Sequence, residues 1–212
     1  MRTIIASILF FSFFSYNSNA QQNDFQLWNT LNLSKKINKS FRADIKYGAR
    51  FRENASLLST QFIDFKVKYK ENKRWSFAIG YRSISDYSIS NNFESKNRFY
   101  ADAYFSKKLK RYFFSLRNRV LTQLSNNISK EVLRQKYKLA YNIKKTKLLP
   151  SISIELFYSL DNYFYKIRNS FELAYPINKK IDFSLVYKIE NEFNVVDPFT
   201  LFIFEPKISY KL

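Results

Sequence analysis

The stretch Phe41-Arg42-Ala43-Asp44-Ile45-Lys46-Tyr47-Gly48-Ala49-Arg50-Phe51-Arg52 decides the fold of this chain. Its odd positions are apolar or aromatic, and its even positions are charged, apart from Gly48. Successive side chains of a strand point to opposite faces, so this segment is a strand with one oily face and one ionic face. A dozen residues is also about what a tilted strand needs to cross a bilayer.

The same alternation continues outward from it. Ile63, Phe65, Val67 and Tyr69 oppose Asp64, Lys66, Lys68 and Lys70; Trp75, Phe77, Ile79 and Tyr81 oppose Ser76, Ala78, Gly80 and Arg82. Further on, Phe99, Ala101, Ala103 and Phe105 oppose Arg98, Tyr100, Asp102 and Tyr104. The pattern persists to Phe204, Ile208 and Tyr210 near the end of the chain, and it assigns Tyr165, Ile167 and Phe171 to an oily face. About eleven strands are predicted, joined by two kinds of connection. One kind is short and basic, as at Lys35-Lys36, Lys107-Lys108 and Lys179-Lys180; the other is longer and rich in Asn, Ser and Asp, with residues 83–95 read as a polar loop. Hairpins with no helix between them give an antiparallel meander. Bacterial single-chain barrels have even strand numbers, so ten or twelve strands are expected, with residues 24–34 the segment that falls short of a full strand.

Which way the oily face looks separates a membrane barrel from a soluble one. The strand middles carry Ile45, Val67, Ala101, Leu139, Ile154 and Leu185, as contact with lipid would favour. The strand ends beside the short basic turns carry Tyr69, Trp75, Phe105, Tyr112, Tyr141, Tyr175, Phe183 and Tyr210, an aromatic girdle at one membrane interface. The expected fold is therefore all-β: a single antiparallel transmembrane β-barrel, an up-and-down meander of about 10–12 strands with a charged interior. A secreted β-sandwich or soluble carrier is the alternative.

Composition narrows the function. Among 212 residues there are 36 Lys+Arg against 17 Asp+Glu, a formal charge of +19, with neither His nor Cys. Without His the chain lacks the commonest general base near neutral pH and the commonest transition-metal ligand, so no enzyme activity, catalytic residue, metal or cofactor is expected. Without Cys there is no disulfide framework. The basic residues are spread along strand faces and turns rather than gathered in a nucleic-acid-binding module, so nucleic acid is not an expected partner. Arg2, the apolar run over residues 4–14 and Ser18-Asn19-Ala20 have the layout of a secretory signal peptide cleaved after about Ala20. Residues 1–20 are read as that signal and residues 21–212 as the barrel, destined for the bacterial outer membrane.

Candidate functional residues lie on the ionic face: Arg50, Arg52, Arg82, Arg98, Asp102, Arg117, Arg119, Arg134, Glu155, Arg168, Glu172 and Glu190. Arginine–carboxylate pairs of this kind can fill a narrow lumen, giving a closed barrel with a structural or partner-binding role. Because the basic members outnumber the acidic ones, the other reading is a small anion-preferring channel. The expected partners are outer-membrane lipid, the barrel-assembly machinery during biogenesis and, on the channel reading, a small anionic solute. Oligomeric state is left open.

Several short stretches carry a family likeness: Trp28, Arg50 with Arg52, Gly80-Tyr81-Arg82, Leu116-Arg117-Asn118-Arg119, Glu155-Leu156-Phe157, and the strand from Arg168 to Tyr175. With these the mature chain resembles the Gram-negative outer-membrane barrel family known as domain of unknown function 2490, although it is richer in lysine and poorer in glycine than that pattern. The resemblance implies a barrel in the outer membrane and brings no activity or site residue with it.

Overall fold

A computed structural model describes residues 22–87, 93–125, 128–159 and 163–212. The expected signal peptide lies outside these residues. Eleven strands form one closed barrel: β1 (Gln22–Lys36), β2 (Phe41–Arg52), β3 (Leu57–Lys70), β4 (Trp75–Tyr87), β5 (Phe93–Leu109), β6 (Tyr112–Ser125), β7 (Ile128–Tyr141), β8 (Leu149–Ser159), β9 (Tyr163–Pro176), β10 (Ile181–Glu192) and β11 (Phe199–Lys211). Each strand pairs antiparallel with its neighbours in sequence, and β1 closes on β11 in parallel.

Two expectations are corrected here. Residues 24–34 lie within a full 15-residue strand, so the count is eleven rather than ten or twelve. Even parity follows only when the first and last strands run in opposite directions. Parallel pairing also satisfies the backbone, and it does so here from Gln22–Phe199 to Ser34–Lys211. The register is interrupted only at Trp28 and Asn29, which fall opposite Glu205 and Pro206, and a proline has no N–H to donate. Much of the polar segment 83–95 is also strand: β4 runs on to Tyr87 and β5 starts at Phe93.

The barrel is inside out relative to a soluble one. Ile79 is 68% exposed and Val120 59%, and Ile45, Phe65, Val67, Leu139, Ile154 and Leu185 are all exposed on the outer wall. Asp44, Asp64, Asp102, Arg119, Glu155 and Glu190 are buried in the interior. An apolar belt of this size belongs in hydrocarbon, and the structure is that of a membrane barrel. Cross-strand aromatic pairs mark the short-turn end of the belt: Phe41–Tyr69, Trp75–Phe105 and Tyr112–Tyr141, with ring centroids 5.0–5.1 Å apart. Tyr175 pairs with Phe183 in register, and Tyr210 lies opposite Ile181. Rings also pair toward the other rim, at Tyr81–Phe99, Tyr87–Phe93 and Tyr158–Phe164.

Three of the short turns are built alike. Asn38, Asn72 and Asn178 each use their side-chain oxygen to accept two backbone N–H bonds, at 2.8–2.9 Å, from the residues two and three positions later. Asparagine takes the place of glycine in tightening these turns. In each case the next residue is an exposed lysine: Lys39, Lys73 and Lys179.

Candidate functional site: a basic lumen

Alternation sends every second side chain inward, and cross-strand register decides which charges meet. Asp64 lies opposite Arg82, Asp102 opposite Arg119, and Arg168 between Glu155 and Glu190. All of these contacts form. The Arg119 guanidinium grips Asp102 with two bonds, 2.6 and 2.7 Å, and Arg82 Nε donates to Asp64 at 2.7 Å. Glu155 sits at the centre of the largest cluster, with Arg117 at 2.5 Å, Arg134 at 2.6 Å and Arg168 at 3.5 Å. Arg168 also pairs with Glu190, which Lys166 reaches at 2.7 Å. Glu172 holds Lys138 and Lys207, and Glu205 holds Lys188 while accepting from Thr30 at 2.8 Å. Buried charges are retained when they are paired in this way.

Rings form a second layer of support. Arg50 lies 3.9 Å from the Trp28 ring centroid, Arg82 4.0 Å from Phe62, Arg119 3.7 Å from Tyr100 and Arg134 4.6 Å from Phe157. A guanidinium flat on a ring keeps its charge while losing freedom. The two glycines of the chain make room for two of those rings. Gly48 lies opposite Phe62 and Gly80 opposite Tyr100, and each ring covers the bare backbone so closely that a Cβ would run into it. Gly80→Ala is therefore expected to push Tyr100 off the wall, break its 2.8 Å bond to Asp64 and cost about 1–3 kcal/mol, read as a lower unfolding midpoint. Adding Tyr100→Ala should recover part of that loss; a single variant as stable as the parent would show that the ring does not depend on the glycine.

Pairing leaves a surplus of positive charge. The Arg50 side chain has neither a hydrogen bond nor a close ion pair among the described residues, and its Nε is buried. Among the described residues Arg98 bonds to the neutral Gln123, and Lys46 and Lys136, although opposite Asp64 and Glu155 in register, make neither a hydrogen bond nor a close ion pair with them. Five cross-strand pairs among the described residues set cations directly opposite, Lys36 with Arg42, Arg42 with Lys68, Arg82 with Arg98, Arg117 with Lys136 and Arg119 with Arg134, against one acidic pair, Asp86 with Glu94. Like charges at facing positions destabilise a sheet.

Between these side chains runs a cavity of about 1590 Å³. It extends from Arg52, Tyr87 and Glu94 near the loop rim to Arg42, Lys138 and Ser209 near the turn rim. Among the described residues, eighteen lysines and arginines line it against nine aspartates and glutamates. Of the twelve charged residues singled out in the sequence, eleven line this cavity; Asp102 is buried behind Arg119. The lumen also contains aromatic residues not singled out as functional: Trp28, Phe62, Phe157 and Tyr165. The first three follow the inward alternation of their strands. Tyr165, assigned to the oily face, turns inward because the β8–β9 register shifts at Phe157/Tyr158, and that shift brings both Tyr165 and Lys166 to the cavity.

Residues 25–197 match the family model described as "Protein of unknown function (DUF2490)". The chain belongs to that family. No curated protein matches the sequence. Among solved structures the barrel is similar to one titled "NanC porin structure in rhombohedral crystal form", at 14% sequence identity and a TM-score of 0.51, covering 78% of this chain and 86% of that one. At that identity the likeness is one of fold.

Proposed function

We propose that this protein is an outer-membrane channel of narrow bore for small anionic solutes. The cavity that runs between the rims with twice as many basic as acidic residues on its wall carries this reading. The like-charge pairs support it. A barrel that was only a scaffold would gain by setting an acid opposite Arg98, which faces Arg82 on one side and Gln123 on the other, whereas a wall that handles passing anions keeps such a cation available. A passive role also suits a chain with neither His nor Cys. The alternative of a lumen closed by its own side chains agrees less well with a cavity of about 1590 Å³. An outer-membrane location accords with the porin-like fold and with an N-terminus laid out as a signal peptide.

Planar-bilayer recording of the refolded barrel tests the proposal. Stepwise currents with a reversal potential on the anion side are expected. Arg50→Gln with Arg98→Gln should lower the anion-to-cation permeability ratio roughly fivefold, as loss of cations that no carboxylate neutralises would do in a narrow water-filled lumen. A silent membrane would favour the closed, structural barrel. Currents whose selectivity ignores both substitutions would remove these two arginines from the pathway.

A further inference from the structure

Charge is distributed very unevenly along the barrel axis. The turn rim carries Lys35 and Lys36, Lys39, Lys70, Lys73 and Arg74, then Lys107, Lys108, Lys110 and Arg111. It continues with Lys144, Lys145, Lys147, Lys179, Lys180 and Lys211, and all of these except Arg111 are exposed. Glu71 and Asp182 are the acids beside them. At the loop rim Asp24, Glu53, Asp86, Glu94, Glu131, Glu192 and Asp197 outnumber the nearby Arg52, Lys96, Lys130 and Lys166.

We propose that the turn rim is a docking surface for anionic phospholipid headgroups, which form a shell around the barrel in the leaflet where its short turns lie.

Three observations point to a lipid shell rather than a single macromolecular partner. The cations occupy every short turn and the end of β11, so they encircle the barrel instead of marking one side, and a folded partner would engage only part of such a ring. They also lie just beyond Tyr69, Trp75, Phe105, Tyr112 and Tyr141, the depth at which interfacial aromatics place neighbouring ammonium groups among headgroups. Finally, the repeated asparagine-braced turn presents Lys39, Lys73 and Lys179 at the same position in three separate hairpins. Repetition around a circumference matches a ligand that is itself repeated, and lipid is such a ligand. Lysines near an anionic surface are attracted to it until salt screens them. This inference does not depend on whether the lumen conducts.

The full chain, refolded into nanodiscs of phosphatidylcholine mixed equally with phosphatidylglycerol, provides the test. Native mass spectrometry of the released barrel should find phosphatidylglycerol retained over phosphatidylcholine by about fivefold, falling toward parity in high salt. Lys39, Lys73, Lys108, Lys144, Lys179 and Lys180 changed together to Gln should abolish the preference, while the unfolding midpoint in pure phosphatidylcholine stays unchanged because these side chains are exposed. If inorganic phosphate removes the preference at an ionic strength where chloride does not, the rim binds free phosphate rather than lipid, and the proposal fails. It fails equally if parent and variant retain the two lipids in the same ratio.

Discussion

Glu155→Gln is expected to destabilise the barrel by about 3–5 kcal/mol, the loss typical when one partner of a buried ion cluster is removed. Glu155 is 3% exposed and accepts from Arg117 and Arg134, with Arg168 3.5 Å away. Glutamine keeps the shape and one acceptor oxygen but no charge. Three guanidiniums would then face one another without an anion, close to the Arg117/Lys136 and Arg119/Arg134 oppositions that already cost stability. Urea unfolding of the protein in vesicles measures the effect, and adding Arg134→Leu should return part of the loss, since the two sites are coupled. On the channel reading the same substitution should raise anion selectivity while it weakens the protein. A loss under about 1 kcal/mol would mean that lumen water screens the cluster and that Glu155 does not hold the wall together.

The second large effect comes from the opposite face. Ile79→Arg places a charge on the outer wall between Val67 and Ala101, its register partners on β3 and β4's other neighbour β5. In a bilayer this should cost about 2–4 kcal/mol, the range for a basic residue near the midplane of a membrane barrel. Ile79→Leu should be nearly neutral, because lipid tails tolerate either shape. Were this face in water, arginine would be accommodated at little cost. Unfolding midpoints of the two variants in the same vesicles decide the matter.

Much of this architecture could be read before any coordinates, because a period of two leaves no choice about faces once one face is known. From Arg50 to Glu190 the ionic positions point to a common interior, as alternation requires. Two features were not legible in that way. Parity argues for ten or twelve strands because residues 24–34 alternate less cleanly, with Asn29 and Asn32 on opposite faces, yet they form a full strand that pairs with β2 and, except at Trp28 and Asn29, with β11. Tyr165 was misplaced because a one-residue register shift reverses the phase and leaves no mark in composition.

The lumen's balance of paired and surplus charge was less accessible still. Whether Arg50 or Arg98 finds a carboxylate depends on contacts that skip strands. Tyr100 on β5 bonds Asp64 on β3, and Arg168 on β9 lies over Trp28 on β1. Such meetings are set by strand tilt and barrel radius, which belong to the closed cylinder and to no single segment. The surplus of cations could be counted in the sequence, but the identity of the unpaired ones could not.

The parallel seam has a consequence for assembly. Ten of the eleven junctions can form as a hairpin or along its flank, with a connecting loop to hold the two strands close. The eleventh joins segments at the extremes of the chain, and since both descend from the same rim, no tight turn could ever have tethered them. The cylinder must therefore shut by a meeting of distant partners, late and at the greatest loop-closure cost in the molecule, and Pro206 withholds one bond from that meeting. A cysteine pair placed across Leu33 and Tyr210, which lie in register on the two strands, would report the moment of shutting as a crosslink appearing after the rest of the wall has formed.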